Sequence, residues 1–196
     1  MLGGIARRVQ GQSGVTVGNR KPGAMIEITR KLFTLREWRP DDAASLAEHA
    51  NNVKVWRNLH DAFPNPYTRA DADTWIKLTA SLTSGMVFAI VVDGKAVGGI
   101  GITPGKDVER RTAAIGYWLG EAYWGRGIAT EALRAMTEFV LATFDIVRLE
   151  AYVFEWNLSS TRVLEKAGYT REARLRKKVT KEGRAVDCFL YALVRE

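Results

Sequence analysis

From Met25 onward, apolar residues recur with either the period of a strand or that of a helix. Residues 31–38 (KLFTLREW) alternate and carry aromatics, which predicts a strand. Pro40-Asp41-Asp42 starts a helix, with early acids suited to the dipole and with Leu46 and Ala50 on one face. Residues 53–67 (VKVWRNLHDAFPNPY) are irregular, because Pro64 and Pro66 exclude regular helix there. Thr68, with Asp71 three residues on, caps the next helix, whose apolar side is Trp75, Ile76, Leu78 and Leu82.

Two runs, 86–92 (MVFAIVV) and 96–103 (AVGGIGIT), flank Asp93-Gly94-Lys95 and predict a hairpin. Residues 111–120 (RTAAIGYWLG) form a further strand. A helix from about 126 to 143 carries Ile128, Leu133, Met136, Val140 and Phe144 at helical spacing. Residues 147–154 (VRLEAYVF) make a strand, and 159–167 a short helix ended by Gly168. The last part, 169–195, reads as two strands around Lys181-Glu182-Gly183-Arg184. The order β α α β β β α β α β β gives a meander followed by a strand–helix–strand unit. The expected fold class is α/β, an α+β mixed sheet. It is mostly antiparallel and twisted, with strands 111–120 and 147–154 parallel and helices on both faces.

The chain has 196 residues, 46% apolar and 26% charged, which suits one domain. Residues 25–196 carry the pattern, while residues 1–24 are glycine-rich, basic and aperiodic, a flexible basic leader. The leader lacks the apolar core of a secretory signal, so it suits a targeting segment or an extension ahead of a start at Met25. No run approaches the 18 or so apolar residues that a membrane helix needs. One cysteine, Cys188, permits no intramolecular disulfide and fits a cytoplasmic, reducing setting.

The net charge of +7 is unevenly spread. The leader holds four basic residues and no acid; 171–184 holds seven basic residues against Glu172 and Glu182. What remains is slightly acidic. That pattern argues against a general nucleic-acid binder. No metal-ligand pattern is present.

Candidate chemistry centres on Tyr123-Trp124-Gly125-Arg126-Gly127-Ile128-Ala129-Thr130. A strand ends at Gly120, and a helix begins a few residues later. The first amides of that helix lack intrahelical partners and sit at its positive end, where phosphate fits and glycines allow close approach. The plain alternative is a tight turn. No P-loop occurs, and a dinucleotide fingerprint would need Gly or Ala where Thr130 stands.

Residues 115–133 (IGYWLGEAYWGRGIATEAL) resemble the acyl-CoA-binding segment of the GNAT N-acetyltransferase superfamily, with its [RQ]-x-x-G-x-[GA] turn. Gly125, Gly127 and Ala129 match, while Trp124 stands at the leading basic or amide position. This tryptophan resembles the branch typified by ribosomal-protein alanine N-acetyltransferases. Residues 157–169 (NLSSTRVLEKAGY) resemble that branch's N-x-x-S-x-x-x-x-E-K-x-G-[FY], through Asn157, Ser160, Glu165, Lys166, Gly168 and Tyr169. The resemblance covers roughly 30–196.

It implies a GNAT-like fold and transfer of acetyl from acetyl-CoA to an amine acceptor, by a monomer or homodimer. Trp118 and Leu119 would offer backbone groups to the pantetheine. Amides of Gly125, Arg126, Gly127, Ile128, Ala129 and Thr130, beside Trp124, would hold the pyrophosphate. Asn157 would reach the pantetheine or simply cap its helix. The family's usual acid, a tyrosine, falls at Leu164, which leaves Ser160 as the hydroxyl facing the thiolate. For the base, Ala113-Ala114 replace a family glutamate; Glu121 is the chosen candidate, with Glu150, Asp187 or a water chain as others. His49 reads as exposed on its helix, and His60 borders the acceptor side. The aromatics Trp56, Phe63, Tyr67 and Trp75 are core or pocket lining. Cys188 reads as a packed strand residue. Two other readings stay open: a non-catalytic acyl-CoA-binding module, and a ribosome- or RNA-associated protein using its basic segments.

Overall fold

The computed structural model describes residues 26–82 and 86–196; the expected leader lies outside the described residues. The strands are β1 (Glu27–Thr29), β2 (Thr34–Arg36), β3 (Val87–Val92), β4 (Lys95–Pro104), β5 (Thr112–Leu119), β6 (Arg148–Phe154), β7 (Thr170–Lys181) and β8 (Arg184–Val194). The α-helices are α1 (Ala43–Ala50), α2 (Val53–Trp56), α3 (Arg69–Ala80), α4 (Ile128–Thr143) and α5 (Leu158–Lys166). All eight strands join one sheet in the order β1-β2-β3-β4-β5-β6-β8-β7. Every neighbouring pair is antiparallel except β5 with β6, which are joined through α4 and run parallel.

The continuous apolar run of β3 reflects burial on both faces. Phe88 and Ile90 join the core beneath α4, with Leu133, Met136, Phe139 and Val140. Ala89 and Val91 face the other way, into a second core with Leu46 of α1 and Ala72 and Ile76 of α3. Small side chains on that face (Ala43, Ala50, Ala89, Ala96) let α1 and α3 lie close to the sheet. Helices therefore cover both faces, as the strand and helix order implied.

Local signals act as their chemistry requires. Asp93-Gly94 has φ 48° and 79°, and Glu182-Gly183 has φ 48° and 72°, the left-handed pairs of two-residue hairpins. Thr68 and Asp71 form the reciprocal capping box, with Thr68 N donating to Asp71 Oδ2 at 2.7 Å. The expected apolar side of α3 is corrected: Leu78 and Leu82 are exposed, and Ala72 and Ile76 are buried. Leu78 follows Ile76 by two positions, about 200° round a helix, and cannot share its face. The strand expected over 31–38 is shorter, because Arg30 N donates to Phe33 O at 2.8 Å and turns the chain between β1 and β2.

One buried ion pair fixes α1 to the sheet. Arg36 donates to both carboxylate oxygens of Asp42 at 2.7 Å, and Asp42 also accepts from the Arg39 amide at 2.8 Å. Both side chains are almost fully buried. Removing one partner strands the other charge away from water, so Asp42→Ala is expected to destabilise the protein by about 3–5 kcal/mol. A urea melt that shifts by less than about 1 kcal/mol would contradict this role.

Candidate active site

The site grows from the way β5 spends its main-chain groups. Its register with β4 places Gly120 N on Val97 O and Gly105 N on Thr112 O, both at 2.8 Å. Along an antiparallel pair, successive residues alternately face the partner strand and turn from it. Thr112, Ala114, Gly116 and Trp118 therefore face β4, while Tyr117 and Leu119 aim their main chain toward β6. β6 is alongside only for Thr112 to Ala114, paired with Arg148 to Glu150. Beyond that point the two strands separate. β6 stays bonded to β8 in a register with Glu155 N on Asp187 O at 3.0 Å, which turns the main chain of Tyr152 back toward β5. The outcome is a wedge-shaped gap with main-chain donors and acceptors on both walls.

The glycine turn lies at the wide end of this gap. Gly125 and Gly127 have φ 74° and 79°, which side-chain-bearing residues rarely adopt. A Cβ placed on either would meet nothing within 4 Å, so the space above the turn is open. The first helical bond is Glu131 N to Gly127 O at 3.1 Å. Among the described residues, the amides of 125–130 donate to no protein acceptor. They stand at the positive end of the sixteen-residue α4. Ile128 buries its side chain in the core. Trp124 Nε1 donates to Leu119 O at 2.7 Å and closes the turn onto the end of β5. Arg126 lies over the Tyr123 ring, 5.2 Å from its centroid.

The other wall carries α5. Asn157 Oδ1 accepts from Ser160 N at 3.1 Å, so Asn157 is the N-cap. Its Nδ2 donates to no partner among the described residues. The Tyr117 hydroxyl lies 2.8 Å from Ser160 Oγ and 3.3 Å from Ser160 O, two acceptors for its one proton. Burial pushes the Tyr117 phenol up to about 12, against the smaller opposing pull of Ser160. Leu164 is fully buried. Tyr117 was not singled out in the sequence; its partner only appears once α5 is placed.

The candidate carboxylates are all engaged. Glu121, just past β5, is ion-paired with Lys54 and accepts from Asn52 Nδ2 at 2.8 Å; these bonds hold it below the usual carboxylate range. Glu150 accepts from Arg148 Nε at 2.6 Å and from the Tyr152 hydroxyl at 3.1 Å. Asp187 accepts from the Lys177 amide at 2.8 Å and Arg174 Nε at 2.6 Å, which lowers it likewise. His49 is half-buried rather than exposed: it covers Gly120 and meets Tyr123 edge-on, 5.4 Å between centroids. His60 is exposed. Cys188 is buried, and that burial pushes its thiol up. Among the described residues no group of three His, Cys, Asp or Glu could hold a metal ion, and no helix is long and apolar enough to cross a membrane.

A strap crosses the face opposite α4. The turn between β7 and β8 reaches the segment 53–67, where Lys181 Nζ sits 2.7 Å from Asp61 and 3.8 Å above the Trp56 ring. Arg57 pairs with Glu182 at 3.3 Å, and Trp156 Nε1 donates to Asn58 at 3.1 Å. Phe63 packs edge-on to Trp118 at 5.7 Å, and Tyr67 is buried beside it. Nothing in the residue pattern marks this bridge, because a lysine in a basic run reads as solvated, yet Lys181 is 2% exposed.

Residues 33–170 match the family model described as an acetyltransferase (GNAT) domain. The chain is 27% identical over 177 residues to an uncharacterised N-acetyltransferase, p20, of Bacillus licheniformis, across 87% of this chain and 97% of that one. RimJ of Mycobacterium smegmatis, solved in complex with CoA-disulfide, is similar at 28% identity and TM-score 0.70, covering 83% of this chain and 81% of that one. Ribosomal-protein-S5-alanine acetyltransferase from Vibrio fischeri shares the fold with TM-score 0.75 at 18% identity, covering 87% and 97%.

The buried phenol sets a pH dependence. Tyr117 keeps its proton to about 12 in the folded protein, whereas an exposed phenol ionises near 10. Between those values the folded state holds more protons, so stability falls as pH rises. In Tyr117→Phe the drop in urea midpoint between pH of about 9.5 and about 11.5 is expected to be shallower than in wild type. An equal drop would contradict the burial of this hydroxyl.

Proposed function

The chain belongs to the GNAT acetyltransferase family, and on that premise we propose that it moves acetyl from acetyl-CoA to a primary amine by direct attack in a ternary complex. The acceptor is a protein N-terminus or a small-molecule amine, and the setting is cytoplasmic. One observation carries the reading: a gap lined by unpaired main chain leads to a turn whose free amides suit phosphate. The similar RimJ of M. smegmatis, solved with CoA-disulfide, supports the same ligand.

In this reading the pantetheine adds to β5 like a short strand, against the main chain of Tyr117 and the amide of Leu119. Trp118 faces β4 with its main chain, so its part is the indole beside Phe63. Gly125, Arg126, Gly127, Ile128, Ala129 and Thr130 present amides to the pyrophosphate, and the Arg126 cation stands beside it. Trp124 braces the turn through Leu119. Asn157 caps α5 with its oxygen and offers Nδ2 to the pantetheine.

The amine nitrogen forms a bond to the thioester carbon, and the carbon–sulfur pair leaves with sulfur. One proton passes in net from nitrogen to sulfur. Ser160 is the hydroxyl that meets the departing sulfur. Glu121, held ionised by Lys54 and Asn52, is a weak base. It acts as a fixed negative charge near the acceptor, and the nitrogen's proton leaves through water. The strap over the acceptor side supports an amine that enters end-on, as a chain terminus or a small molecule does.

A thiol-release assay with acetyl-CoA tests this against alanine-terminated peptides, aminoglycosides and polyamines. Release with a peptide or a small amine is expected. CoA binding with no release across the panel would instead support a non-catalytic binding module. Gly127→Val places a β-branched side chain in the open space above the turn. It is expected to raise the CoA dissociation constant at least about tenfold, equivalent to about 1.4 kcal/mol, in a protein that still folds. Unchanged affinity by calorimetry would overturn the phosphate assignment.

A further inference from the structure

We propose that Tyr117 is a positioning residue for the proton that reaches the departing thiolate, acting through Ser160. The inference rests on the acetyl-transfer reading and adds a second hydroxyl to it. Tyr117 projects from the last half of β5 and Ser160 from the first turn of α5, so their contact spans the two walls of the gap. The hydroxyls lie 2.8 Å apart, and the phenol also approaches Ser160 O at 3.3 Å. Both contacts tie the phenol to one residue.

Distance gives the direction: the phenol's one proton goes to the nearer acceptor, Ser160 Oγ at 2.8 Å, rather than to Ser160 O at 3.3 Å. A phenol has one proton to donate; a serine hydroxyl donates one and accepts two. When Tyr117 donates to Ser160 Oγ, the serine proton is left over. Among the described residues Ser160 Oγ has no other side-chain partner, so that proton is free to turn into the gap. Burial keeps Tyr117 a neutral donor at every physiological pH. Leu164, one turn further along α5, is sealed in the core, so no hydroxyl arrives from there.

The step balances without ionising the phenol. The amine nitrogen bonds to the carbonyl carbon, and the carbon–sulfur bond breaks with its electrons going to sulfur. Sulfur takes the Ser160 proton as the thiol forms. The proton released by nitrogen returns to Ser160 Oγ through water. Tyr117 keeps its own proton, and its hydrogen bond stabilises the serine oxygen while that oxygen is short of one.

The test is a double-mutant cycle on the full chain, with wild type, Tyr117→Phe, Ser160→Ala and both together. Thiol release is followed with acetyl-CoA and an alanine-terminated peptide, or with whichever panel amine the wild type turns over. Tyr117→Phe is expected to lower kcat about tenfold and leave the KM for acetyl-CoA unchanged, the mark of an interaction made in the transition state. Ser160→Ala should lose at least as much, and the double variant no more than Ser160→Ala alone. Wild-type kcat in Tyr117→Phe, losses that multiply in the double variant, or a rise confined to KM would each overturn the role. Ser160 is half-buried in the first turn of its helix, and its loss to Ala removes one hydroxyl only, so Ser160→Ala keeps the cycle informative should the Phe variant fold poorly; wild-type kcat in it would overturn the role as well. No thiol release by wild type with any amine would overturn the acetyl-transfer reading itself, and this role with it.

Discussion

The parallel pairing of β5 with β6 stops after Ala114 and Glu150. That early stop is what the rest of the site depends on. A strand that loses its neighbour leaves donors and acceptors unpaired, a state the interior of a sheet does not normally tolerate. Here the unpaired groups belong to the main chain of Tyr117 and the amide of Leu119 on one side, since Trp124 takes Leu119 O, and to Tyr152 on the other. They remain useful because the sheet is held on both flanks, by β4 against β5 and by β8 against β6. The gap is therefore a rigid slot. In the proposed reading, a peptide-like ligand completes the pairing that the protein leaves open.

Everything around the slot serves to hold its walls at a fixed distance. Trp124 ties the glycine turn to the end of β5 through Leu119 O. Asn157 caps α5 and so sets the position of Ser160. Tyr117 and Ser160 bridge the walls directly. On the opposite face, Lys181 reaches Asp61 and Trp56 and draws the β7–β8 turn over the segment 53–67. The carboxylates nearby are used up in this framework: Glu121, Glu150 and Asp187 each pair with a cation, Lys54, Arg148 and Arg174 in turn. In the proposed mechanism that leaves hydroxyls and water, rather than a free carboxylate, to move protons.

Local signals carried much of this into the sequence. Period and turn chemistry placed the meander, α4, α5 and the last hairpin within a few residues. The two glycines before α4 read as an anion turn, because positive φ and free helix amides follow from residue type and position. Less legible was anything that depends on register. Which of Trp118 and Leu119 faces the gap is decided by the pairing with β4, which a single strand does not reveal. The short β1 and α2 went unmarked because three- and four-residue elements have too few positions to show a period. Lys181 and Tyr117 escaped notice for a related reason. Each has a partner more than forty residues away, and only the assembled fold brings the two ends together.

The central claim is that the slot and the glycine turn form one continuous ligand site. Hydrogen exchange of the full chain, with and without CoA, tests it most directly. Exchange of the free amides of residues 125–130 and of Tyr117 and Leu119 is expected to slow together when CoA is added, with little change at β1, β2 and α3. Slowing confined to other regions, or none at the glycine turn at saturating CoA, would contradict the account.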